Sequence, residues 1–230
     1  MKPIKLFAVA MAGLALAAVS SHAVLLSDLL QPGATLQQGD KIFGDFTWVG
    51  PTGPAGFTIT GIGDGTANNL YGIEIGGGLS QVGTGTSDWQ LGYSVTIAPG
   101  YNYSISDIHQ YANFNGSPGS YINITEYALN APAGTVVATS NLGEGVNYAY
   151  IDQTDPPGEL NDTLVLSTPL QQVWIRKDIS LQTFGPNEYA VVSIIDQRFS
   201  QVPEPTTTGC FLLGLGALAC FRRFTQNRRS

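Results

Sequence analysis

Residues 89–97 read Trp-Gln-Leu-Gly-Tyr-Ser-Val-Thr-Ile, and no other run of the chain restricts its fold so tightly. Trp89, Leu91, Tyr93, Val95 and Ile97 alternate with Gln90, Gly92, Ser94 and Thr96. Successive side chains of extended backbone point to opposite faces, so a period of two with one apolar face predicts a half-buried antiparallel strand. The pattern returns at 121–129 (YINITEYAL) and at 172–181, where Val173, Ile175, Ile179 and Leu181 share a face with Lys177. Between residues 40 and 200 no sustained period of 3.6 appears, and Gly, Pro and Asn separate the strands at roughly ten-residue spacing. The prediction is an all-β chain: a two-sheet antiparallel β-sandwich, with a jelly roll as one form it can take.

The other strands are less regular. Val24, Leu25, Leu26, Leu29 and Leu30 open the domain with a spacing that fits either a first strand or a short helix. Residues 40–50 read as a strand in which Phe43, Phe46 and Trp48 do not hold one parity, with a bulge expected at Gly44. Twelve of the 28 glycines fall within residues 50–85 and punctuate short strands at 57–60 and 71–75. Gly61, Gly63 and Gly65 imitate a phosphate cradle, but a polar and then strand-like run follows them instead of the helix such a cradle needs. Residues 103–111 continue as a strand with a parity break near Asp107, and 135–139 form a short one. An acidic loop with Asp152, Asp155, Glu159 and Asp162 precedes closing strands at 163–167, 172–181 and 188–199. Residues 190–195 are apolar on both parities except Ser193, which predicts a central strand covered on both faces.

Both ends of the chain differ from this domain. Lys2 and Lys5, an apolar stretch over 6–19, and Ser21-His22-Ala23 read as a signal peptide, 1–23, cut between Ala23 and Val24. At the other end an apolar run, about 206–221, precedes Arg222, Arg223, Arg228 and Arg229. A helix of that length reaches about 24 Å, a marginal transmembrane span for a hydrocarbon core of about 30 Å. The arginines place its far end in the cytoplasm and the domain outside. Pro203 and Pro205 forbid helix ahead of it, so residues 202–205 are expected to be extended and exposed. Cys210 and Cys220 both lie in this run, leaving the exported domain without disulfides. All 17 acidic residues lie between the two ends, against four basic ones (Lys41, Arg176, Lys177 and Arg198), so that segment carries a net charge of −13. Such a surface repels nucleic acid and anionic lipid.

Pro203, Glu204 and Pro205, the short apolar helix and the terminal arginine cluster, in that order, resemble the PEP-CTERM sorting signal of Gram-negative bacteria. Residues 40–50 and 177–203 resemble, more weakly, the opening and closing strands of such proteins. The resemblance implies recognition by a membrane-embedded cysteine protease, an exosortase, that cuts near the Pro-Glu-Pro segment and discards the helix. It also implies a setting of exopolysaccharide and biofilm production. The domain organisation is then signal peptide 1–23, β-sandwich 24–200 and sorting signal 201–230. The partners are signal peptidase, exosortase, the inner membrane transiently, and exopolysaccharide, with no nucleic acid. The destination is the cell surface or the extracellular space. A permanent C-terminal anchor is the plainer alternative.

Candidates for chemistry are few. The exported domain holds one histidine, His109, and no Gly-x-Ser-x-Gly elbow. Asp107 shares its parity, and His109 reads as a strand residue with a local partner and not as a base. Glu74 and Glu126 are the strand-borne carboxylates a glycosidase would use. Glu126 shares a face with Ile122 and Ile124, and both carboxylates read as solvated strand-end groups. The acidic loop and Asp64 offer oxygens for calcium, without the regular ligand series of an EF-hand. Trp48, Trp89, Trp174, Tyr101, Tyr111 and Tyr121 are the aromatics available for sugar stacking, and Trp174 stands opposite the aliphatic face of its strand. The reading is an exported, non-catalytic surface or matrix protein with no cofactor and no metal site. A lectin-like carbohydrate-binding module, calcium-assisted or not, is the alternative, and a polysaccharide hydrolase the third choice.

Overall fold

The computed structural model describes residues 22–63, 70–144 and 160–203. Residues 1–21, Asp64, most of the acidic loop and the apolar run at 206–221 lie outside the described residues. Among the described residues, no helix is long and apolar enough to cross a membrane.

Among the described residues, twelve strands form two six-stranded antiparallel sheets. They are β1 (Ala23–Leu25), β2 (Thr35–Gln38), β3 (Lys41–Val49), β4 (Thr58–Ile62), β5 (Tyr71–Val82), β6 (Gly85–Ile97), β7 (Tyr103–Gly116), β8 (Tyr121–Leu129), β9 (Val136–Glu144), β10 (Asn161–Leu170), β11 (Gln172–Thr183) and β12 (Tyr189–Pro203). One turn of helix, α1 (Leu26–Leu29), follows β1. The first sheet runs β1-β4-β5-β12-β7-β10 and the second β2-β3-β6-β11-β8-β9. β5 pairs with β12, β6 with β11, β7 with β10 and β8 with β9, as in one long hairpin rolled so that alternate rungs fall in opposite sheets.

The apolar opening resolves into both of its expected forms. Val24 and Leu25 lie in the edge strand β1 against Ile59 and Thr58, and Leu26 and Leu29 are buried on α1. The alternation at 89–97 behaves as predicted, with Trp89, Leu91, Tyr93, Val95 and Ile97 all facing the core. On β11, Val173, Ile175, Lys177, Ile179 and Leu181 do the same. The inner faces meet through aromatic contacts such as Phe43 on Phe199, at 5.8 Å between ring centroids.

The breaks in parity are bulges. In β3 the register against β6 shifts between Gly44 and Thr47, so burial passes from Lys41 and Phe43 to Phe46. Asp45 sits at this shift with φ +53°, the one non-glycine residue in the left-handed region among the described residues. β7 slips against β12 between Ser200 and Gln201, next to Asp107. The expectation that residues 190–195 are covered on both faces does not hold. β12 bulges between Val192 and Ile194, moving the buried parity from Ala190 and Val192 to Ile195, Gln197 and Phe199 while Ser193 stays exposed. Strand β9 extends past the predicted 135–139, because pairing with β8 carries it to Glu144.

Candidate functional sites: the exit strand and two sheet faces

The last strand leads out of the domain. β12 is central in its sheet, hydrogen-bonded to β5 as far as Phe199 and to β7 as far as Pro203. Beyond Phe199 it keeps only the β7 side, where Gln201, Val202 and Pro203 oppose Ile105, Ser104 and Tyr103. Val202 and Pro203 are extended and exposed, as expected, yet still part of the sheet. Gln201 is held from the other sheet: the buried Lys41 ammonium donates to its Oε1 and to Asp40 Oδ1, the latter at 2.7 Å. Burial lowers the pKa of Lys41, and Asp40 pulls it back up. β1 runs antiparallel to β4 with Ala23 opposite Thr60, so the start of β1 and the end of β12 point to the same end of the sandwich. Glu204, Pro205 and the four terminal arginines lie outside the described residues.

Of the two catalytic candidates, His109 has the local partner expected of it, while Glu126 is placed differently from the expectation. His109 and Asp107 do meet: Nε2 lies 2.8 Å from Asp107 Oδ1. An extended strand puts residues two apart on one face, and that proximity suffices here. Ser200 Oγ is 2.8 Å from the same nitrogen, and Thr163 Oγ1 is 3.0 Å from Nδ1. Acid and primary hydroxyl therefore share one ring nitrogen. A relay needs them on opposite nitrogens, so that the acid orients the ring while the other nitrogen takes the proton.

Glu126 is not solvated. It is fully buried between the sheets, where its Oε2 accepts from the Lys177 ammonium. Gln197 Nε2 donates to Glu126 Oε1 at 2.9 Å, Lys177 also donates to Gln110 Oε1, and Gln110 Nε2 donates to Ser140 Oγ at 3.2 Å. Adjacent strands β8 and β11 set Glu126 directly opposite Lys177. Burial lowers the pKa of Lys177, and the Glu126 carboxylate opposes that shift. Glu74 stays half-buried on the outer face of the first sheet, level with Asp196 across the ladder.

Among the described residues, a recess lies on each outer face. On the first sheet, Thr60, Glu74, Asp196, Tyr111 and Asn161 stand in one cross-strand row, with Arg198, His109 and Thr163 in the next. Around Tyr111, Asp196 and Arg198 lies a hollow of about 260 Å³. Burial raises the pKa of Asp196, against the pull of Arg198, whose Nη2 is 4.0 Å from its Oδ2. Asp196 Oδ1 has no hydrogen-bond partner. On the second sheet a larger recess of about 390 Å³ lies over Gly92, Trp174 and Arg176, between Asp45 and Thr47 on one side and Leu129 and Pro132 on the other. Asp45 Oδ2 accepts from Ser94 Oγ at 2.8 Å, and the Arg176 guanidinium lies 4.6 Å from the centre of the Tyr127 ring.

The other aromatics scatter. Trp89 is core, with its indole nitrogen on Thr52 Oγ1 at 3.1 Å. Trp48 packs on Phe57, Tyr121 is half-buried, and Tyr101 is exposed and stacked on Tyr103. Sequence reasoning picked out Trp174 but missed Asp45, Gly92 and Arg176 beside it. The available signal was Gly92, a glycine on the outward parity of an otherwise regular strand. Among the described residues no group of three or more His, Cys, Asp or Glu gathers as a metal site. Asp64 and residues 145–159, where calcium ligands were sought, lie outside those residues.

Fold and exit strand together define a class: a two-sheet antiparallel β-sandwich whose central strand continues into a C-terminal sorting segment. Residues 201–223 match the family model of the PEP-CTERM protein-sorting motif, so this chain carries a PEP-CTERM signal of the exosortase-sorted kind. No curated protein matches the chain. Among solved structures it is similar to TmCBM61 in complex with beta-1,4-galactotriose, at 10% identity over 70% of this chain and 89% of that one, with a TM-score of 0.30.

Proposed function

We propose that this is an exported, non-catalytic protein of the cell surface or extracellular matrix, sorted and cut through the exosortase pathway. The observation that carries the reading is the sorting motif at 201–223, which begins inside the last strand of a folded domain. Residues 1–23 start export and are removed between Ala23 and Val24. The apolar helix at 206–221 halts it, with Arg222, Arg223, Arg228 and Arg229 left in the cytoplasm. The exosortase then acts at Pro203, Glu204 and Pro205, and the domain leaves the inner membrane. That the start of β1 and the end of β12 point to one end of the sandwich supports this order, since a single end then faces the membrane while either segment tethers it. The described strands have the nested pairing of a jelly roll, with the three-residue overlap at Gln201, Val202 and Pro203 shared between domain and signal.

Two arrangements support a non-catalytic role. Asp107 and Ser200 compete for one nitrogen of His109, and Glu126 is neutralised by Lys177 away from solvent. The mature domain, at −12 over Val24–Pro203, meets neutral exopolysaccharide more readily than an anionic polymer.

An intact mass of the protein in the producer's culture supernatant tests the reading. Pairing of residues 200–203 with β7 withholds them from a protease that binds extended backbone, so the cut is expected on the C-terminal side of Pro203. The expected product starts at Val24 and ends at or just after Pro203. A full-length chain in the cytosol, or a processed form unchanged by scrambling 206–230, refutes it.

A further inference from the structure

We infer that the recess on the outer face of the second sheet binds an uncharged sugar ring of a polysaccharide, with Trp174 as its stacking platform. The inference rests on the reading that the exported domain meets exopolysaccharide, and it names the site and the sugar chemistry.

The recess is built by several parts of the fold. Its floor is Gly92 of β6 beside Trp174 and Arg176 of β11, one wall is the β3 bulge and the other is the β8–β9 turn. Gly92 keeps the floor low. A Cβ there would come within 2.5 Å of Thr47 Oγ1, and its neighbours on the outward parity, Gln90, Ser94 and Thr96, all bear side chains. Trp174 is half-buried, so part of its indole faces the opening. An aromatic face covers the C–H side of a pyranose ring well while the ring's hydroxyls point outward.

The hydroxyl partners are held in place. Asp45 is exposed yet kept in a left-handed conformation at φ +53°, with one carboxylate oxygen tied to Ser94. A strained non-glycine residue persists where its surroundings over-determine it, and such residues cluster at ligand sites. Its second oxygen is open to accept hydroxyl hydrogens. Arg176, exposed and resting on Tyr127, presents fixed N–H donors. One carboxylate and one guanidinium leave the recess without net charge, which fits a neutral ring better than a uronic acid or a cation. A volume near 390 Å³ is within the range of about 300–1,000 Å³ usual for small-molecule sites.

The test uses the full chain in a zwitterionic detergent without sugar headgroups, so that binding does not depend on processing. Affinity electrophoresis runs it through gels of a neutral galactan, glucan or mannan, with polygalacturonate alongside. The expected result is retardation by at least one neutral polymer and little by polygalacturonate. Trp174→Ala and Arg176→Ala, each checked for an unchanged unfolding temperature, are expected to weaken it roughly tenfold or more, the loss typical of an anchoring aromatic or arginine. Trp174→Phe is expected to keep part of the binding, which a merely structural role would not predict. Binding unaffected by both alanine variants, preference for polygalacturonate, or no binding to any neutral polymer overturns the inference. So does loss in Tyr111→Ala with retention in Trp174→Ala, which moves the site to the opposite face. A chain that is sorted and cut yet binds no neutral polymer leaves the sorting pathway intact and removes only the sugar site.

Discussion

Glu126→Gln is the substitution that most directly tests the interior. The side chain keeps its shape and its bond from Gln197, but Lys177 loses the carboxylate it donates to. Both residues are fully buried, and removing one member of a buried ion pair typically costs about 3–5 kcal/mol, because the other charge is left without compensation. Against a total stability of about 5–15 kcal/mol that is a large fraction. For a domain of this size each kcal/mol moves the unfolding temperature by about 2–4 °C, so the variant is expected to melt roughly 6–20 °C lower. Burial already draws the Lys177 pKa down, and the variant can shed the Lys177 proton to escape part of the penalty. A base whose folded pKa lies below its unfolded one destabilises at low pH and ceases to do so as pH rises toward the ordinary lysine range. The deficit should therefore shrink on going from neutral to alkaline pH. The pair of changes Glu126→Leu and Lys177→Met together should be more stable than Glu126→Gln alone, although Gln110 and Gln197 lose partners in it. Thermal unfolding followed by near-ultraviolet circular dichroism measures all three. A Glu126→Gln protein within about 1 kcal/mol of the parent, or a double variant weaker than the single one, refutes the reasoning. Loss of any hydrolytic activity in Glu126→Gln would report unfolding and not a missing acid.

Asp196→Asn should raise the unfolding temperature at neutral pH. Burial lifts the Asp196 pKa, and a carboxyl with a raised folded value stabilises only at pH below its unfolded value, a contribution lost as pH rises through the folded one. At about pH 3 both residues are neutral and the advantage should vanish; an equal shift at both pH values would show that its charge is not the cause. Gly72→Ala should cost more than about 2 kcal/mol, since a Cβ at this central position runs into the backbone carbonyl of Gln197 on the neighbouring strand, with no flexible side chain to yield. A urea midpoint unchanged by Gly72→Ala would mean that β5 and β12 are not packed as closely as described.

Local pattern carried a good deal of this protein. The alternation around Trp89 and around Val173 decided strand, inward face and sheet class, because side-chain direction in extended backbone depends on parity alone. The parity breaks at Gly44 and Asp107 announced bulges without any knowledge of the partner strands. The sorting motif was legible for a similar reason: its match over residues 201–223 rests on the local order of residue types, and no tertiary contact is needed to read it. What the pattern could not supply was register between strands distant in the chain. Glu126 on the isoleucine face and Lys177 on the valine face were each visible, but only the β8–β11 ladder sets them opposite each other and turns two apparently awkward charges into one buried pair. Parity also misread β12, where a bulge looks in sequence like a strand covered on both sides. The Trp174 recess needed three strands and a hairpin turn to converge, and the Gly92 floor has meaning only once Thr47 and Arg176 stand over it. Pairing across long loops is a property of the folded sheet, so it was tertiary structure alone that decided which polar groups this domain hides and which it displays.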